Sequence, residues 1–121
     1  MAGGGFVRVL MAVFLTVAVS AASLVAIAAA EREVVSGHLM PFKCQNDDKP
    51  THTRDCALRP ECRVTGYGIA LADGTFLQFD ADSNKKAAQL LERSTKASDL
   101  IAEAEGERVG PLFRVRTIRL K

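Results

Sequence analysis

Five short stretches of alternating or β-branched residues, two hairpin signals, and one amphipathic stretch between the third and fourth of them predict a mainly β domain with one helix. Strands in that order, with the helix after the third, match an OB-like five-stranded partly open barrel. That is the fold class expected for residues 31–121, preceded by a helical signal peptide at 1–30. An α+β meander of the same composition is the competing arrangement.

The elements follow one another with clear punctuation. Glu33 to Met40 is β-branched and meets Pro41, so it reads as a first strand. From Pro41 to Thr65 the chain is polar, carries Pro50, Pro60 and Asn46-Asp47-Asp48, and sustains no period, which predicts a long loop. Loops beyond about 12 to 15 residues without structure of their own are uncommon unless they are functional or cross-linked. Tyr67 to Ala72 sets Tyr67, Ile69 and Leu71 against Gly68, Ala70 and Ala72, as a half-buried strand does.

Asp73-Gly74 is a strong hairpin signal, and Thr75 to Phe79 is the returning strand. Asp82, Ser83 and Asn84 offer helix caps, and Ala87, Ala88, Leu90 and Leu91 form an apolar stripe. Ser98 to Glu105 then alternates Leu100, Ala102 and Ala104 against Glu103 and Glu105, and Leu112 to Leu120 alternates again, with Gly106 and Gly110-Pro111 marking the turn between the two. A turn centred near Val109-Gly110 would set Glu103 opposite Arg116 and Glu105 opposite Arg114. The phase change from Phe113 and Val115 to Ile118 and Leu120 calls for a β-bulge near Thr117.

Leu10 to Ala30 is an uncharged run, with Arg8 the one charge before it and Ala28-Ala29-Ala30 ahead of Glu31. This is the pattern of a secretory leader with a small-x-small cleavage site. An uncleaved anchor is the alternative, since about 20 apolar residues span a bilayer. No cysteine follows the run closely enough to carry a lipid, because the first is Cys44. The expected location is periplasmic or secreted.

Without the leader roughly 90 residues remain, one small domain whose modest core would gain much from a covalent or metal cross-link. Leaving Arg8 out of the 16 basic residues sets 15 against 14 acidic ones, so no charge imbalance points to nucleic acid. With no Trp and one Tyr, stacking platforms for single strands are also thin.

All three cysteines and both histidines of the chain fall between His38 and Cys62. Cys44, His52, Cys56 and Cys62 form C-x7-H-x3-C-x5-C, a Cys3His set whose thiolates and imidazole suit a tetrahedral zinc ion. The spacing lacks the tight C-x2-4-C pair of zinc knuckles. A disulfide between two of Cys44, Cys56 and Cys62 is the alternative, because exported compartments oxidise thiols, and a loop of about 15 residues closed this way is stabilised by about 3 kcal/mol. Outside a ligand role, His52 between Thr51 and Thr53 reads as solvated.

His38 and Met40 lie two apart on the first strand and share a face, and with a cysteine they would suit copper. A Cys-His nucleophile needs a third, orienting group that the sequence does not identify, and no C-x-x-C motif is present. Asp80 and Asp82, beside Ser83 and Asn84, read as turn and cap residues rather than a catalytic carboxylate pair. No catalytic residue is assigned, and zinc and copper are the ions considered.

The run of leader, first strand, Cys/His loop, Cys56, Cys62, Thr65-Gly66-Tyr67-Gly68, Asp73-Gly74, helix and final two strands resembles small exported bacterial OB-like domains of uncharacterised function. The resemblance covers nearly all of Val34 to Leu120. In those proteins a Gly and then a His often follow the first cysteine closely, whereas here Gln45 follows Cys44 and His52 comes later. The resemblance implies fold and compartment. The residues themselves suggest a non-enzymatic module that holds a metal ion or small ligand at the Cys/His loop, or a structural domain whose cysteines staple that loop.

If the leader is cleaved after Ala30, the intact mass of the exported protein begins at Glu31. A membrane fraction that retains the mass of Met1 to Ala30 would instead identify an anchor.

Overall fold

The computed structural model describes residues 31–121, so the leader expected at 1–30 lies outside the described residues. The strands are β1 (Glu33–Pro41), β2 (Tyr67–Ala70), β3 (Phe76–Gln78), β4 (Ile101–Val109) and β5 (Leu112–Leu120). They form one antiparallel sheet in the order β3-β2-β1-β4-β5. Three helices join them: α1 (Arg54–Ala57), α2 (Pro60–Arg63) and α3 (Ala81–Arg93). The domain is mainly β, and its sheet is not hydrogen-bonded into a closed barrel. Its edges meet at a single parallel bridge, Phe79 with Phe113. No helix among the described residues is long and apolar enough to cross a membrane.

The first strand serves two neighbours in turn. Glu33 to His38 pair with β4, and His38 to Pro41 pair with β2. Pro41, which has no amide to donate, lies where the β4 pairing has already ended. On one face of β1, Val35 and Leu39 enter the main core with Tyr67, Ile69, Phe79, Leu91 and Phe113. On the other, Met40 packs with Cys44, Cys62 and Ala70. A half-buried β2 was the expectation, yet all four of its residues are buried, because the cysteine loop covers its second face.

The segment 41–65 is not a structureless loop. It contains a 3-10 turn at Phe42–Cys44 as well as α1 and α2. Four-residue helices are too short to display a period, and their local signals are a Thr53 side chain that accepts from the Cys56 amide and Pro60 at the first turn of α2. The connection after β2 is also longer than a two-residue turn. Leu71 donates to the Thr75 carbonyl at 2.8 Å, with Gly74 at φ +89° inside the loop.

Helix α3 starts earlier than Asp82, with Asp80 as its cap accepting from the Ser83 amide at 3.0 Å. Ala87 and Leu91 are buried as the apolar stripe requires. Buried Ser83 accepts from the Val115 amide at 2.7 Å, and Asn84 accepts from the Tyr67 amide at 2.8 Å. Both of these cap-region side chains therefore hold the helix to the sheet.

The last hairpin differs from the expected register. Its turn is Gly110-Pro111, with Gly110 at φ +60°, one residue beyond the expected centre for the two strands. With that turn Glu107 faces Arg114 at 3.4 Å, and beyond a one-residue bulge Glu105 faces Thr117 and Glu103 faces Arg119 at 3.0 Å. The bulge falls at Arg116, beside the expected Thr117, where the register shifts between Glu105 and Gly106. Opposite charges do face each other, through partners other than the expected ones.

Gly106 is a strand residue rather than part of the turn. A Cβ there would collide with the Arg114 carbonyl and meet the Phe113 ring at 2.9 Å. Gly106→Ala is expected to destabilise the domain by about 1 to 3 kcal/mol, the range for overpacking a tight site. Urea unfolding with an unchanged m-value checks this, and a midpoint equal to that of the unsubstituted chain would show that the strands part there freely.

Candidate metal centre

The three cysteines, separated in sequence, converge. Cys44 ends the 3-10 turn that follows β1, Cys56 lies in α1 and Cys62 in α2. Their Sγ atoms all lie within 4.8 Å of one another. None is disulfide-bonded, and Cys44 and Cys62 are buried. Sulfurs that share a tetrahedral zinc ion at about 2.3 Å stand about 3.8 Å apart, so little movement separates this arrangement from a coordinating one.

Cys44 also belongs to a second group. A ligand atom of His52 and a carboxylate oxygen of Asp47 lie with its sulfur inside the same 4.8 Å limit. The solvated His52 suggested by its polar neighbours is not found: the residue is only 7% exposed, and neither ring nitrogen has a hydrogen-bond partner. An unpaired buried polar group costs about 1 to 3 kcal/mol, and a cation bound to the imidazole would relieve this. Burial lowers the His52 pKa, which keeps the ring in the neutral form that ligates metals.

Non-local bonds hold the loop. Phe42 donates to the Gly66 carbonyl at 2.8 Å and closes it at its base. The Arg54 amide donates to the Ala97 carbonyl at 2.8 Å, and its side-chain Nε donates to the Leu91 carbonyl at 2.7 Å, so α1 is fixed to α3 and the chain after it. The Tyr67 hydroxyl donates to the Ala57 carbonyl at 2.8 Å, and Arg63 pairs with Glu92 at 2.8 Å. The Cys62 carbonyl accepts from the Thr65 hydroxyl at 2.7 Å. Groups held from several directions before an ion arrives need less reordering to bind it.

His38 and Met40 are parted. Met40, fully buried, packs with Cys44 and Cys62, whereas His38 Nε2 meets Asp99 Oδ1 at 2.7 Å. His38 lines a groove of about 450 Å³ with Ser36, Lys49 and Leu71. Asp99 has a left-handed backbone (φ 51°), a conformation more common for Asp than for most residues. Asp80 caps α3 as expected, and Asp82 sits in that helix's first turn. They line a separate cleft of about 330 Å³ in which Arg114 lies 3.4 Å from both Asp80 and Glu107, so its charge is already matched.

Asp47 is the residue that sequence reasoning missed. It stands three positions after Cys44, and its amide donates to the Cys44 carbonyl at 3.0 Å. The run Asn46-Asp47-Asp48 reads as turn chemistry, and only the fold shows which carboxylate faces the sulfur. No protein-family model, curated protein or solved structure matches this chain.

Burial, then the adjacent Cys62 thiol and the Asp47 carboxylate, push the Cys44 thiol from its ordinary 9.0 up to about 12. The folded chain thus keeps a proton that the unfolded chain releases. That contribution to stability is full below pH 9.0 and is lost as the pH rises toward about 12. His52, with its lowered pKa, works at the other end: the unfolded chain takes up the proton first, so stability falls as the pH drops below 6.5. Urea midpoints of the reduced chain in chelator should decline on both sides, and Cys44→Ser should flatten the alkaline arm alone. An alkaline arm unchanged by Cys44→Ser would place the titrating group elsewhere.

Proposed function

We propose that this chain is a small exported, non-enzymatic binding module, built on an OB-like partly open barrel, that holds one metal ion through Cys44, Cys56, Cys62 and His52. The observation that carries the reading is His52, buried beside Cys44 with both ring nitrogens unpaired. A disulfide between any two of the cysteines would leave that imidazole unsatisfied and one thiol over. An ion uses all four groups.

Three thiolates and a neutral imidazole suit zinc, a borderline-soft ion of tetrahedral preference. Copper(I) is the second ion to consider, since the Met40 side chain packs on Cys44 and Cys62. The raised Cys44 pKa keeps that thiol protonated at neutral pH and weighs against a nucleophilic role. A bound cation reverses the balance by displacing the thiol protons. The OB-like reading is supported by the helix between β3 and β4, by a first strand shared between β2 and β4, and by the parallel Phe79–Phe113 bridge. The exported setting rests on the leader pattern at 1–30.

The close approach of the three sulfurs also favours a second reading, a loop-stapling disulfide in a structural or interaction domain. Native mass spectrometry of the exported protein separates the two. The metal reading expects one ion and three reduced cysteines, and zinc at about 100 times its Kd should stabilise the fold by about 2.7 kcal/mol. A mass short by two hydrogens, with no metal taken up after reduction, would establish the staple instead.

A further inference from the structure

The metal reading, on which this inference rests, does not use Asp47. Cys44 belongs to two groups at once: a sulfur trio with Cys56 and Cys62, and a mixed trio with Asp47 and His52. Cys44, Cys62 and His52 are buried and Cys56 is half-buried, while Asp47 is exposed. A hydrated cation approaching from solvent therefore meets the Asp47 oxygen first, and Cys44 is the ligand common to both groups. A carboxylate oxygen is also the one hard donor of the five, the kind that suits a cation still carrying its water.

We propose that Asp47 is the receiving ligand of this site. The ion docks on Asp47, Cys44 and His52, then passes inward as Cys56 and Cys62 replace the carboxylate and the remaining water. Each thiol that ligates releases its proton to solvent, the Asp47 oxygen returns to water, and no atom changes oxidation state. The end state is the Cys3His shell, with Asp47 outside it. An exposed carboxylate beside the buried Cys44 sulfur concentrates the cation at the mouth of the sulfur group.

Cobalt(II) loading of the reduced chain, followed by stopped-flow absorbance of the sulfur-to-cobalt band, tests this. Asp47→Asn is expected to slow loading about tenfold and to slow chelator-driven release by the same factor, leaving the final band and Kd within about twofold. Asp48→Asn removes the same charge from a neighbouring exposed carboxylate, one that accepts from the Thr51 hydroxyl at 2.6 Å, and should leave both rates alone. Equal slowing by both variants would reduce the effect to net charge and overturn the proposal. So would unchanged rates, or a weakened Kd with faster release, which would make Asp47 a permanent ligand. If the unsubstituted chain develops no sulfur-to-cobalt band, the metal reading itself fails and this inference falls with it.

Discussion

The amide of Leu39 donates to the Leu100 carbonyl at 2.8 Å, just past the point where β1 leaves its regular pairing with β4 and continues on β2. That division of one strand between two partners governs the rest of the structure. Val35 and Leu39 project into the main core, while Met40, one step on, projects to the opposite face and meets the cysteines. A slip of one residue would exchange those faces and send Met40 into the core in place of Leu39. Gly37 stands at the crossing, where a Cβ would collide with the Ala70 carbonyl. Close strand approach and the two-sided burial of β2 have the same origin.

The small second core is chemically unlike the first. Its residues are Met40, Cys44, Cys62 and Ala70, with the partly buried Phe76 against them, and Cys56 closes the sulfur trio. Apolar packing alone accounts for Met40 and Ala70. It does not account for His52, whose two unpaired nitrogens are the reverse of what burial normally permits. Other buried polar side chains among the described residues are matched: Ser83 accepts from Val115, and Tyr67 donates to Ala57. The contrast sets the loop apart from ordinary core.

The charged surface of β4 and β5 plays a lesser part. Arg119 with Glu103, Arg114 with Glu107 and Arg108 with Glu33 are exposed pairs that solvent screens, so they add little to stability. They suit a solvated ladder with its register set by the Gly110-Pro111 turn and the bulge at Arg116. An anion-binding stripe would require arginines free of such partners.

Much of the architecture follows from local pattern alone. Leu112 to Leu120 is bounded in the structure as the alternation and the preceding Gly110-Pro111 require, and Ala87 and Leu91 are buried as a helical stripe demands. These features are legible because side-chain period and turn chemistry act between near neighbours. The cysteine grouping was visible for the same reason, as all three lie within one short segment. Tertiary structure decided the rest. A hairpin turn displaced by one residue moves every partner across the ladder by two, and the bulge at Arg116 adds one more, which is why Glu103 found Arg119 rather than Arg116. Four-residue helices leave no periodic trace, so α1 and α2 are defined by how they pack. Whether Thr51-His52-Thr53 is solvated or buried, and whether Asp47 or Asp48 faces Cys44, depends on contacts made by chain remote in sequence: Ala97 and Leu91 on Arg54, Gly66 on Phe42. Residue type determined which groups could bind an ion, and only the folded loop gathered the three sulfurs and set a buried imidazole and one exposed carboxylate beside that of Cys44.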